Sequence, residues 1–233
     1  MKKIIIGILI IIFLTFIIYK SNANNLIDYM SIGDSFDIGI NSYGNNTYSY
    51  RDYLKNYLNN NNLLHKTYFY YSKSNYTIEE LLNDITINKE VIYNDRMYNI
   101  KKDLREADLI TISIGLDELI SIIEDNKNDN IYVKVDKMID NMNILINNVQ
   151  KISSSNIILI GYYNPYLNSN KELERLFAYI NDKYYDIAKK YKLTYIDIYK
   201  IINKNYLPNI RDYHLNSKGY LKIASKIIEE LKL

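Results

Sequence analysis

No cysteine occurs in the 233 residues, which excludes disulfides, thiolate metal sites and cysteine nucleophiles. Histidine occurs only twice, so multi-histidine metal sites are excluded, and any mechanism that needs an imidazole must use His65 or His214. Tryptophan is absent while tyrosine occurs 26 times, a bias that weakens any reading of tyrosine-rich stretches as ligand platforms. Glycine occurs 7 times and proline twice, so each glycine marks a place where the backbone needs it. Neither sign of charge dominates: 29 basic against 27 acidic residues give a net charge of +2, with no basic face for nucleic acid and no acidic tail. The length suits one α/β domain with a short appendage.

Lys2 and Lys3 precede an apolar run from Ile4 to Ile18, closed by Tyr19 and Lys20. The run is shorter than the roughly 20 residues a spanning helix wants. It fits a hydrophobic membrane anchor or the core of a cleaved signal, with Ser21-Asn22-Ala23 as a small-x-small site. Either reading makes residues 1–23 a targeting segment and places a domain of residues 24–233 outside the cytoplasm, secreted or held at the outer face of the membrane by that segment.

Beyond Ala23 strand and helix patterns alternate. Strands are expected at Leu26–Ile32, Leu63–Tyr71, Asp108–Gly115, Asn156–Gly161 and Leu193–Tyr199. Helices are expected at Tyr50–Leu58, after the capping box Thr77-Ile78-Glu79-Glu80, at Leu116–Ile123, Val133–Ile152, Lys171–Tyr191 and Ser217–Leu231. Val135, Met138, Ile139, Met142, Leu145, Ile146 and Val149 form one apolar helical stripe. Glu124–Asn130 reads as a polar loop, and Val91–Glu106 as an irregular stretch with a short helix. Five alternations without a hairpin signal predict a three-layer α/β/α sandwich on a five-stranded parallel sheet, order 2-1-3-4-5. Ligands of such sheets bind beyond the carboxyl ends of the strands, where the order reverses, here between the first and third strands. Gly33-Asp34-Ser35 follows the first strand and Gly115-Leu116-Asp117-Glu118 the third, so both turns point into that crevice. Ser35 can present a hydroxyl there, and a serine needs a base to act as nucleophile. His214, in the loop before the last helix, can reach the same crevice. His65, near the start of the second of these strands and on the wrong side of the sheet for the crevice, is expected to be structural or exposed.

These residues resemble the SGNH/GDSL hydrolases: Gly33-Asp34-Ser35 after strand one, a Gly-x-x-acid turn after strand three, and a C-terminal histidine followed by Asn216-x-x-Gly219-Tyr220. The resemblance covers about residues 26 to 232. It implies a flavodoxin-like sandwich that hydrolyses carboxylic esters through an acyl-serine, with no cofactor and no metal. It implies Ser35 as nucleophile, His214 as base, and an oxyanion hole from Ser35 and the residues at the positions of Asn75 and Asp117. Three positions depart from the family's pattern. Asn75 stands where the family has glycine, and asparagine tolerates the left-handed backbone well. Asp117 stands where an asparagine amide would donate to the oxyanion; an ionised carboxylate would repel that charge, whereas a protonated one could donate. Arg211 stands at the usual aspartate position, leaving Asp212 or a backbone carbonyl to orient the imidazole. Two readings follow, an exported esterase acting on a small acyl ester such as an acetylated surface glycan or lipid, and a catalytically impaired module that binds acylated glycan or lipid. A flavin or receiver module is disfavoured by the lack of any glycine-rich phosphate loop.

Overall fold

The computed structural model describes residues 26–125, 130–166, 171–209 and 212–233. The expected targeting segment (1–23), most of the expected polar loop (126–129) and Arg211 lie outside them. Seven strands occur among the described residues: β1 (Ile27–Gly33), β2 (Leu64–Tyr68), β3 (Glu90–Tyr93), β4 (Arg96–Asn99), β5 (Leu109–Ser113), β6 (Asn156–Ile160) and β7 (Thr194–Ile196). The helices are α1 (Ser35–Ile38), α2 (Tyr50–Asn60), α3 (Ile78–Thr86), α4 (Ile100–Glu106), α5 (Leu116–Asp125), α6 (Ile131–Ile152), α7 (Lys171–Tyr191) and α8 (Ser217–Leu231). No helix among the described residues is long and apolar enough to cross a membrane.

Five strands form one parallel sheet in the order β2-β1-β5-β6-β7, which is the expected 2-1-3-4-5 once only its own strands are counted. The chain leaves β1 in one direction and β5 in the other. Right-handed crossovers then place the connecting helices on opposite faces. Accordingly α2 packs on α8, while α6 packs against α3, α4 and α7. All five residues of β5 are buried, as a central strand covered on both faces requires. The seven apolar positions of the α6 stripe are all buried, and the Thr77–Glu80 capping box closes reciprocally, at 3.1 and 3.0 Å.

The structure corrects the expectation of no hairpin. β3 and β4 pair antiparallel around Asn94-Asp95, whose φ values of 48° and 58° make a two-residue turn of the kind that matches strand twist. Tyr70 docks this hairpin, its ring 4.8 Å from Tyr93 and 4.1 Å from Tyr98. The expected strand Leu63–Tyr71 therefore stops at Tyr68, and the last strand shortens to three residues.

Beneath the carboxyl end of β1 lies a buried polar network centred on Asp37, which is fully enclosed. Asp37 accepts hydrogen bonds from the hydroxyls of Ser31, Tyr50 (2.5 Å), Ser72 (2.6 Å) and Ser113 (3.3 Å), and pairs with Arg51 Nη1 at 2.7 Å. Ser72 Oγ also receives the Gly33 N–H, at 3.1 Å, so the network ties the segment after β2 to the end of β1. A Cβ on Gly33 would collide with Asp37 Cβ and the Ser113 carbonyl, which reserves this position for glycine. Removing one partner of a buried ion pair leaves the other charge uncompensated, at a cost of about 3–5 kcal/mol. Arg51→Met is therefore expected to lower the unfolding free energy by about that amount in urea denaturation. A loss below about 1 kcal/mol, the size of an exposed pair, would contradict this assignment.

Candidate active site

The carboxyl ends of β1 and β5 lie side by side, and both glycine-bearing turns follow them. Asp34 ends β1's turn and caps α1, its Oδ1 accepting the Phe36 N–H at 3.1 Å. Its Oδ2 accepts the N–H groups of Gly115 (2.8 Å) and Asp117 (3.2 Å) from the opposite turn. One fully buried carboxyl therefore fastens the two turns together. Gly115 has φ 102°, and a Cβ there would lie 2.9 Å from Ile78 Cδ1, so this turn too requires glycine. Next to it, Glu118 accepts the Ile78 N–H at 3.1 Å, filling an orphan donor at the start of α3. Burial raises the Glu118 pKa above its ordinary value.

The structure brings Ser35, Asn75, Asp117, Asp212 and His214 together at this edge. His214 Nε2 lies 3.1 Å from Ser35 Oγ, and its Nδ1 lies 2.7 Å from Asp212 Oδ1. The same Asp212 oxygen accepts the His214 backbone N–H at 2.7 Å, so a carboxylate two residues before the histidine can hold the ring. Asn75 has φ 55°, in the left-handed region, and its N–H points at the site. Asp117 does not stand as a donor. Its Oδ2 accepts the N–H groups of Ser35 (3.1 Å) and Asn75 (2.8 Å), and its Oδ1 accepts the Ser35 hydroxyl and the Tyr213 hydroxyl (2.9 Å). The carboxylate thus fills the point on which both amides converge, and Ser35 keeps only 3% of its surface exposed. His65 lies apart, exposed on β2 at the opposite end of the sheet, paired with Asp28 at 2.6 Å.

Two residues went unassigned by sequence reasoning. The sequence places Asp34 only in the turn after the first strand and gives Tyr213 no signal at all. Tyr213 stacks on the imidazole, 4.2 Å between centroids and 27° between planes. A cavity of about 280 Å³ borders the site, lined in part by Asn75, Asp117, Glu118, Ser121, Ile122 and Asp125.

The sandwich brings a serine, an imidazole and a carboxylate into hydrogen-bonding line at its switch point, within the class of doubly wound α/β folds. The family model of GDSL-like lipase/acylhydrolases matches residues 29–227, and the chain belongs to that family. Among solved structures it is similar to the lipase Lip_vut3 from a goat rumen metagenome, with a TM-score of 0.70 and 19% identity over 88% of this chain and 97% of that one. It is also similar to the acetylxylan esterase Axe2 from Geobacillus stearothermophilus, with a TM-score of 0.66 and 16% identity over 89% of this chain and 94% of that one. No curated protein matches the sequence.

Burial, and then the charge of Asp117, push the Asp34 pKa well above the ordinary carboxylate value of 3.8, despite three backbone donors that pull it down. A carboxyl whose pKa is raised by folding adds stability that is complete below its unfolded pKa and is lost as pH rises through the folded value. Relative to Asp34→Asn, the native chain should therefore lose stability as pH rises from below 3.8 towards neutrality. Urea midpoints of the two proteins measured across that window check this; a difference that stays constant with pH would contradict it.

Proposed function

We propose that this chain hydrolyses small acyl esters through an acyl-serine. The observation that carries the reading is the contact between Ser35 Oγ and His214 Nε2, at 3.1 Å, with Nδ1 held by Asp212. In the forward step the Asp117 carboxylate turns away from Ser35, and the Ser35 oxygen attacks the ester carbonyl while Nε2 takes the hydroxyl proton. The Asp212 carboxylate stabilises the imidazolium that results. The carbonyl electrons move onto its oxygen, which the N–H groups of Ser35 and Asn75 receive. Collapse expels the alcohol, protonated by the imidazolium. A water, deprotonated by His214, then releases the acid.

The small cavity beside the site, with the carboxylates of Glu118 and Asp125 in its lining, supports a short acyl group on a polar carrier, such as an acetylated glycan, over a long-chain lipid. Axe2's description as an acetylxylan esterase supports the same direction. The apolar run from Ile4 to Ile18 supports an exported enzyme, anchored or secreted. One observation favours a second reading, a binding module with impaired chemistry: the Asp117 carboxylate sits on the amides that an oxyanion needs.

Turnover of 4-nitrophenyl acetate separates the readings. Ser35→Ala should abolish it, and unchanged turnover in that variant would end the hydrolase account. Asp117→Asn replaces an acceptor by a donor, and one oxyanion donor is worth about 10²–10³ in rate. Its kcat is expected to rise towards that range. A fall would show that Asp117 has a positive role in the chemistry.

A further inference from the structure

Resting on the hydrolase reading, we propose that Tyr213 is a further catalytic residue, its phenol donating to the leaving-group oxygen of the ester. The geometry comes from Asp117. Its carboxylate is a planar O–C–O group already seated on the reacting atoms, and it stands in for the acyl carboxyl of a substrate. Oδ2 lies on the Ser35 and Asn75 N–H groups, where a carbonyl oxygen belongs. Oδ1 faces the Ser35 hydroxyl and receives the Tyr213 hydroxyl at 2.9 Å. An ester laid over this carboxylate, with its carbonyl oxygen on the two amides, presents its alkoxy oxygen to Tyr213.

Such an ester enters when the Asp117 side chain turns aside, and Asp117 borders the open cavity of about 280 Å³ into which it can turn. That movement leaves the Tyr213 hydroxyl, part-buried at the site, without its carboxylate acceptor. Ser35, the other group beside this hydroxyl, is committed to the acyl carbon as nucleophile, so the alkoxy oxygen is a favourable acceptor in place of the carboxylate. The phenol is held rigidly. Its ring stacks on His214, and its backbone carbonyl accepts the hydroxyl of the buried Tyr163 at 2.5 Å. Burial, followed by the Asp117 charge, raises the phenol's pKa, so Tyr213 keeps its proton and acts as a hydrogen-bond donor. In the collapse step the bond from the acyl carbon to the alkoxy oxygen breaks and its electron pair goes to that oxygen. The imidazolium of His214 supplies the proton, and the Tyr213 O–H stabilises the developing charge without being consumed.

The experiment compares Tyr213→Phe with the native chain on two acetates that differ only in leaving group, ethyl acetate and 4-nitrophenyl acetate, reading kcat/KM, which reports acylation. Phenylalanine keeps the stack on His214 and removes only the hydroxyl. The hydrogen bond matters for a poor leaving alkoxide and little for a nitrophenolate that leaves unaided. The expected result is a loss of about tenfold to hundredfold on ethyl acetate, with 4-nitrophenyl acetate nearly unchanged and serving as the control for folding. Equal losses on both esters would assign Tyr213 to holding His214, and no loss on either would remove it from the chemistry; both overturn the proposal. A native chain with no turnover of either ester, indistinguishable from Ser35→Ala, would overturn the hydrolase reading and this inference with it.

Discussion

One buried carboxyl holds the active edge together. Asp34 spends its two oxygens on three backbone N–H groups, one in its own turn and two in the turn after β5. Parallel pairing of β1 with β5 brings these turns adjacent, and Asp34 sets their distance and angle. Ser35 and Asp117 follow directly on the two clamped segments, so their contact depends on this clamp. Below it, the Asp37 network does the equivalent for the segment leading to Asn75, through Ser72 and Gly33. The backbone amides that converge on the site are therefore positioned by side chains that never face a ligand.

The site gathers negative charge where the proposed reaction would create more of it. Asp34 and Asp117 share one dry region, and burial, then the Asp117 charge, raise the Asp34 pKa. Asp117 is tolerated because four donors satisfy it: two amides and two hydroxyls. Those same donors are what an ester would use. Folding stability and turnover thus compete for one set of hydrogen bonds, a conflict of the kind expected at functional sites. Of the groups around Asp117, only the Tyr213 hydroxyl comes from a side chain that no sequence pattern marks.

The fold was largely legible because its signals are local. The α6 stripe, the Thr77–Glu80 box and the apolar β5 run each declare themselves within a few residues, and the sheet order follows from their alternation. Ser35 and His214 stood out through scarcity, one serine at a strand-end glycine and one of two histidines. The hairpin was missed because its only marker, Asn94-Asp95, is ordinary in a chain so rich in asparagine, although both residues take the left-handed backbone readily. The roles of Asp34, Asp37 and Tyr213 were not legible. Each depends on distant partners, such as Arg51 for Asp37, 14 positions away, and Asp117 for Tyr213, 96 positions away, and spacing in sequence carries no trace of such contacts.

The central claim is that Ser35 is an activated nucleophile. Intact-mass analysis of the folded protein after exposure to a fluorophosphonate, with peptide mapping, tests it most directly. The account predicts a single adduct on Ser35 that disappears in His214→Ala. An unmodified native protein, or an adduct that forms equally well without the imidazole, would contradict it.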